Sequence, residues 1–244
     1  MNVLVVGAGS MGQWFARTLC EHADATVAFT DTDSDAAHRA ADRVGGRAVP
    51  TDTGERFDVV CLAVPMPVAR VAIEEYASLA AEAVVDVTGS MTDPLSAMAE
   101  TVPDRQRASL HPLFAPANAP GSIAVVAPAR GDAVDAVLDA LAAAGNDTFE
   151  TTSAEHDRAM ESVQATAHAA VLAYAMASDE VPERFHTPVS AGLQSLVDQV
   201  LGGEAHVYAD IQHAFEGADA VAEAARELAD ADHDAFVELY DELS

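Results

Sequence analysis

Gly7-Ala8-Gly9-Ser10-Met11-Gly12 follows the apolar run Val3-Leu4-Val5-Val6 and opens the stretch Gln13 to Glu21, which reads as a helix. Strand, glycine turn and helix in this order form the start of a βαβ unit. In such a unit the first glycine makes the tight turn, the second lets backbone approach a pyrophosphate, and the third lets helix pack on strand. The unpaired N–H groups and macrodipole of the helix N-terminus attract the anion. Gly7, Gly9, Ser10, Met11 and Gly12 are therefore the expected dinucleotide cradle. A second strand, Thr26 to Thr30, runs into Asp31, about 20 residues after the fingerprint, where a ribose-binding acid belongs. A carboxylate there accepts from a ribose 2′-hydroxyl and repels a 2′-phosphate. Thr32-Asp33-Ser34-Asp35 adds acid and no arginine, so NAD is expected over NADP. The structural role open to Asp31 is a helix N-cap or turn residue.

The rest of the first 150 residues alternates short β-branched runs with alanine-rich helical stretches, the pattern of a doubly wound parallel sheet of Rossmann type. Strands are expected at Asn2 to Val6, Thr26 to Thr30, Val59 to Ala63, Ala83 to Val87, Ala108 to Leu110 and Ser122 to Val126. Helices are expected at Met11 to Glu21, Asp35 to Val44, Pro67 to Leu79, Pro94 to Glu100 and Ala133 to Ala144. From Ala154 the β signal ends, and Ala154 to Ser178, Val189 to Leu201, Val207 to Phe215 and Ala218 to Leu243 read as helix. The expected organisation is an α/β domain over 1–150 followed by an all-helical domain over 151–244. Helical domains in this position often carry a subunit contact, so a homodimer is expected.

The 244 residues are half hydrophobic and carry a net charge of −28, from 40 acidic residues against 12 basic ones. All 12 basic residues are arginine; there is no lysine. Such a surface repels nucleic acid and anionic membranes. The acids are spread along the chain, which suits a solvated coat of the kind found in proteins of salt-accumulating archaea rather than a tail for a basic partner. Cys20 and Cys61 have no CxxC spacing and no histidine cluster, so neither a disulfide frame nor a metal site is expected. Met1 leads straight into a core strand and no apolar run approaches the ~20 residues of a membrane span, so a cytoplasmic protein is expected.

Strands of an open α/β sheet present their C-terminal ends to the ligand crevice. Two segments fall there: Asp86-Val87-Thr88-Gly89-Ser90-Met91 and Ser109-Leu110-His111-Pro112-Leu113-Phe114-Ala115-Pro116. A histidine beside a nicotinamide can take the hydroxyl proton of an alcohol that gives up hydride, because its ordinary pKa of ~6.5 suits a base near neutrality. His111 is the candidate base, with the capping of a loop as its bland alternative. Ser90 and Thr88 either cap the turn or hold substrate. Glu161, Gln164 and His168, spaced three and four apart, share one face of a helix otherwise rich in Ala and Val. That stripe lines a cleft or meets a partner chain. His156, in the first turn of the same helix, reads as structural.

Ser109 to Pro116, Ala154-Glu155-His156-Asp157, Gln164 with His168, and Tyr208-Ala209-Asp210-Ile211 together resemble the prephenate dehydrogenase family, arogenate dehydrogenases included, over nearly the whole chain. The resemblance implies NAD-dependent oxidative decarboxylation of prephenate to 4-hydroxyphenylpyruvate, a step toward tyrosine. It gives His111 the part of the family's histidine and makes Ser90 a second catalytic candidate. It also implies substrate contacts from Gln164, His168 and the positions near Gln199. Gly89-Ser90-Met91 stands where the family often has Ser-Val-Lys, so the serine is displaced by one and the lysine is absent. The family's substrate-carboxylate arginine falls at Gln199 and a second arginine at Ala191. Arg184 is the nearest basic residue that could supply the charge. Alternatives are an arogenate dehydrogenase, an imino-acid reductase of similar architecture, and a non-catalytic NAD-binding regulator. A β-hydroxyacid dehydrogenase, which uses a lysine, does not suit a chain that has none.

Overall fold

The computed structural model describes residues 1–243. The chain divides into two compact units, Met1–Asp157 and the residues from Arg158 onward. In the first unit the order is β1 (Asn2–Val6), α1 (Ser10–His22), β2 (Thr26–Thr30), α2 (Ser34–Val44), β3 (Arg47–Ala48), β4 (Phe57–Leu62), α3 (Ala69–Tyr76) and β5 (Ala80–Asp86). There follow α4 (Thr92–Thr101), β6 (Gln106–Pro112), β7 (Ser122–Ala129), α5 (Asp132–Ala143), β8 (Asp147–Glu150) and α6 (Ser153–Met160), the last running across the division.

The eight strands form one sheet in the order β3-β2-β1-β4-β5-β6-β7-β8. From β1 the chain builds outward to one side, then returns to place β4 on the other side of β1. The crevice at the strand C-termini therefore opens beside β1. Both sheet faces are covered, which is why β1 is apolar at successive positions instead of alternating. Val3 and Val5 pack into a core with Phe15, Phe29 and Leu141, and Leu4 and Val6 into another with Ile73 and Met98.

The sheet departs from the expected parallel pattern at one pair. β6 and β7 are antiparallel, with Leu110 opposite Val125 and His111 opposite Ala124. The segment between them has no helix long enough to return the chain to the same end of the sheet, and a parallel neighbour needs such a crossover. The two strands absent from the expected set, β3 and β8, are the sheet's edges. Each is short and mostly polar, so neither carries an apolar run.

The second unit is helical. A π-helical turn, Glu161–Thr166, leads into α7 (Ala167–Ala177), followed by α8 (Pro188–Leu201), α9 (Ala205–Ala214), α10 (Gly217–Asp230) and α11 (His233–Glu242). The single helix expected over Ala218 to Leu243 is two. Ala231 and Asp232 leave the helix, and the Asp232 side chain accepts from Ala235 N–H to start a new one. Among the described residues no helix is long and apolar enough to cross a membrane.

Candidate active site

Gly7 has φ +99°, and a Cβ there would run into the carbonyl of Ala63, just past β4. A Cβ on Gly12 would meet the Gly7 carbonyl. These two glycines let α1 begin tight against the sheet. Gly9 differs, because nothing lies within 4 Å of the place its Cβ would take. The N-terminus of α1 has no side-chain cap and no acidic residue in its first turn, although the chain carries 40 acids. Open space, exposed N–H groups and no nearby carboxylate on the helix suit a pyrophosphate.

Asp31, just past β2, accepts from Ala8 N–H at 2.7 Å through Oδ2 and from Asp33 N–H at 2.9 Å through Oδ1. The N-cap of α2 is Asp33, which accepts from Asp35 and Ala36. Asp33 thus fills the N-cap role that was open to Asp31, while the bond from Asp33 N–H makes Asp31 a turn residue as well. Asp31 is held against the glycine turn, with lone pairs left for ribose hydroxyls.

At the other end of the crevice stands His111, on the last turn of β6 and 7% exposed. Its Nδ1 lies 2.8 Å from Nε2 of His156, and the rings meet edge to face with centroids 5.0 Å apart. His156 Nδ1 is in turn 2.8 Å from Oδ1 of Asp157. The Asp157 carboxylate also accepts from Met91 N–H at 3.0 Å and Thr92 N–H at 3.1 Å, capping α4, whose own N-cap residue supplies no side-chain bond. Burial alone would raise the Asp157 pKa, but the bonds from His156, Thr92 and Met91 hold it down at about 2. Burial, aided by His156, pushes His111 down to about 3 against the pull of Asp157, so its imidazole is neutral at physiological pH.

A second carboxyl acts on His156. Asp86 ends β5, fully buried, and its Oδ1 accepts from Thr88 N–H at 3.0 Å with the Thr88 hydroxyl 2.6 Å away. Burial pushes it up to about 6, against the lowering influence of Thr88, Ser109 and His156. Asp86 Oδ2 and the hydroxyl of Ser109, its register partner on β6, are buried and make no hydrogen bond of standard geometry.

Ser90 is half-buried in the loop after β5, where its carbonyl lies 3.1 Å from the Thr88 hydroxyl. Thr88 is thus taken up by the turn. A Cβ on Gly89 would sit 2.9 Å from Met66 Sδ, so a methionine fills the space a serine would need at that position. In the second unit, Gln164 lies in the π-helical turn and His168 one turn further on, its ring edge to face with Tyr208 at 4.9 Å. Gln212, four residues after Tyr208, donates to the Ala165 carbonyl at 2.8 Å. Gln164 Oε1, His168 Nδ1 and Gln212 Oε1 are buried without hydrogen bonds, and burial lowers the His168 pKa. Gln199 is exposed on α8, and Arg184 stacks over its neighbour Phe185 at 5.0 Å.

His156, Asp157 and Asp86 are the residues that sequence reasoning left outside the site. Asp86 and Asp157 lay within the quoted segments, but nothing local marks a carboxylate as facing a histidine from another strand or helix. Asp86 acts on His156 electrostatically, Asp157 faces His156, and His156 directly faces the neutral base His111. Such a group can receive a proton and suits removal of a hydroxyl proton beside a hydride acceptor.

Residues 2–90 match the family described as "NADP oxidoreductase coenzyme F420-dependent". Over 242 residues the chain is 32% identical to the 4-amino-4-deoxyprephenate dehydrogenase of Streptomyces pristinaespiralis, covering 91% of this chain and 80% of that protein. It is 24% identical over 226 residues to the probable arogenate/prephenate dehydrogenase of Methanocaldococcus jannaschii, covering 86% of this chain and half of that protein's length. The fold is that of the prephenate dehydrogenase of A. aeolicus solved with hydroxyphenyl propionate and NAD+, with TM-score 0.74, 17% identity, and coverage of 100% of this chain and 96% of the other.

Proposed function

Because this chain belongs to the prephenate and arogenate dehydrogenase family, we propose that it catalyses the NAD-dependent oxidative decarboxylation of prephenate to 4-hydroxyphenylpyruvate. The observation that carries this reading is the neutral, buried His111 at the crevice end of β6. Bound NAD supplies the hydride acceptor. His111 takes the proton of the ring hydroxyl as the carbon bearing it gives up hydride. The bond to the ring carboxylate then breaks, carbon dioxide leaves, and its electron pair completes the aromatic ring. Aromatisation drives the reaction, so the protein's task is positioning and one base.

Gly7, Gly9, Ser10, Met11 and Gly12 are the residues that would hold the pyrophosphate, and Asp31 the adenine-side ribose. Asp31 and Asp33 together disfavour a 2′-phosphate, which supports NAD over NADP. Ser90 is proposed beside the reacting ring. Gln164, His168, Gln199 and Arg184 are proposed as substrate contacts on the strength of the sequence resemblance. The second reading is arogenate. The absence of arginine at Gln199 and Ala191 favours it, as does the buried, unbonded acceptor Gln164 Oε1, which an ammonium group would satisfy.

A homodimer is proposed through the helical unit. Of the side chains in α7 none is fully buried, and Met176, Val189 and Leu201 are 88%, 74% and 65% exposed. Apolar exposure of that extent supports a contact with another chain.

The test is NAD reduction with prephenate and arogenate side by side in concentrated KCl. Turnover of either establishes the reaction and ranks the substrates. Oxidation of NAD(P)H with a cyclic imine instead would replace this reading with an imino-acid reductase, and NAD binding without turnover of any of them with a regulator.

A further inference from the structure

His111 is buried, and while substrate lies against its Nε2 a proton it takes can leave only through its other nitrogen. Its Nδ1 faces only His156 Nε2, at 2.8 Å. His156, 3% exposed, faces Asp157 through its other nitrogen, also at 2.8 Å. The Asp157 side chain is 23% exposed and is the first group in this series to reach solvent. We propose that His156 and Asp157 form a relay that keeps His111 Nε2 bare for the substrate proton and then carries that proton outward. This inference rests on the dehydrogenase reading for its second half only.

The direction of the relay follows from the chemistry of its far end. A carboxylate accepts and cannot donate, so His156 carries its hydrogen on Nδ1. In neutral His156 that leaves Nε2 as an acceptor, and His111 donates to it from Nδ1. Neutral His111 then has a bare Nε2, the nitrogen that faces away from the relay. The backbone N–H groups of Met91 and Thr92 hold the carboxylate in place. During turnover the substrate proton binds His111 Nε2, the Nδ1 proton passes to His156 Nε2, and the His156 Nδ1 proton passes to Asp157 and on to solvent. Each ring gains one proton at Nε2 and loses one at Nδ1. Both rings then carry the opposite tautomer; it is reset when product has left, His111 Nε2 releases its hydrogen into the crevice, and a proton from Asp157 passes back through His156 to His111 Nδ1.

The same geometry contains an off state. A proton added to His156 makes Nε2 a donor, so His111 has to accept at Nδ1 and carry its hydrogen on Nε2, where it cannot take another. The charged and titratable groups facing His156 are His111 on β6, Asp157 on α6 and Asp86 on β5.

Three measurements test this. In the unliganded protein at neutral pH, nitrogen-15 NMR is expected to show His111 protonated at Nδ1 and bare at Nε2; the opposite tautomer overturns the proposal whether or not any substrate is turned over. His156→Gln keeps an acceptor near Nε2 but does not titrate. Because an amide cannot pass a proton on, this variant is expected to lower kcat by roughly ten-fold or more while the KM for NAD stays within about two-fold, and an unchanged kcat overturns the relay. His156→Leu removes the acceptor and is expected to lower kcat by roughly 100-fold or more. A kcat within two-fold of the parent's, in protein with native circular dichroism, overturns it as well.

Discussion

Asp31 Oδ2 accepts the Ala8 N–H at 2.7 Å, tying the end of β2 to the glycine turn that follows β1. The carboxylate is therefore positioned before any ligand arrives. Asp31→Ser loses the charge at the ribose and the brace on the turn. It is expected to raise the KM for NAD by roughly ten-fold or more, as for a lost charged hydrogen bond, and to narrow the preference over NADP. Initial rates with both cofactors measure it.

Gly9 and Gly12 separate binding from folding. Gly12→Ala places a methyl against the Gly7 carbonyl and is expected to destabilise the protein by about 1–3 kcal/mol. Gly9→Ala meets no protein atom, so stability should change by no more than about 0.5 kcal/mol while NAD affinity falls. Thermal melts and NAD titrations of the two variants should show opposite patterns.

His111→Asn keeps a polar amide near the place of Nδ1 and removes the base. Turnover is expected to fall by roughly 10²–10⁴-fold with little change in NAD affinity. Near-parental turnover would take the base role away from His111.

Two buried groups impose opposite slopes on stability. Asp86 is raised from 3.8 to about 6, so the folded state holds the proton more tightly and stability from this group is lost as pH rises from about 4 to 6. His111 is lowered from 6.5 to about 3, so the unfolded state holds that proton more tightly and stability is lost as pH falls from 6.5 to 3. Relative to the parent, Asp86→Asn should steepen the gain of stability with pH between 4 and 6, and His111→Asn should flatten or reverse it. Each difference is bounded at about 1.4 kcal/mol per pH unit. Chemical denaturation at pH 4, 5 and 6 reads both slopes.

Several arginines already meet acids: Arg39 meets Asp33, Arg47 meets Glu55, Arg70 meets Glu74, Asp93 and Glu100, and Arg130 meets Asp135 and Glu150. The remaining carboxylates repel one another, and salt shortens the range of that repulsion from about 10 Å at 0.1 M to about 3 Å at 1 M. Melting temperature and activity are expected to rise with KCl. Equal melting temperatures in dilute and multimolar KCl would show that the acidic coat does not limit stability.

The sequence alone determined what depends on neighbours along the chain. β1, the glycine turn, α1 and β2 with Asp31 at its end follow from apolar runs, from backbone conformations that only glycine accepts, and from fixed spacing. The helices before residue 150 were legible for the same reason, as was the place of His111 at a strand end. Tertiary structure decided the rest. β3 and β8 exist because neighbouring strands offer free edges, and α10 and α11 separate because the Asp232 side chain competes for a backbone N–H. His156 shows the limit most plainly. Its local setting is that of a structural histidine in a first helical turn, yet it meets His111 across 45 residues because sheet register and the start of α6 bring two nitrogens to 2.8 Å. Spacing along a chain encodes which face a residue occupies, but not which distant residue shares its space.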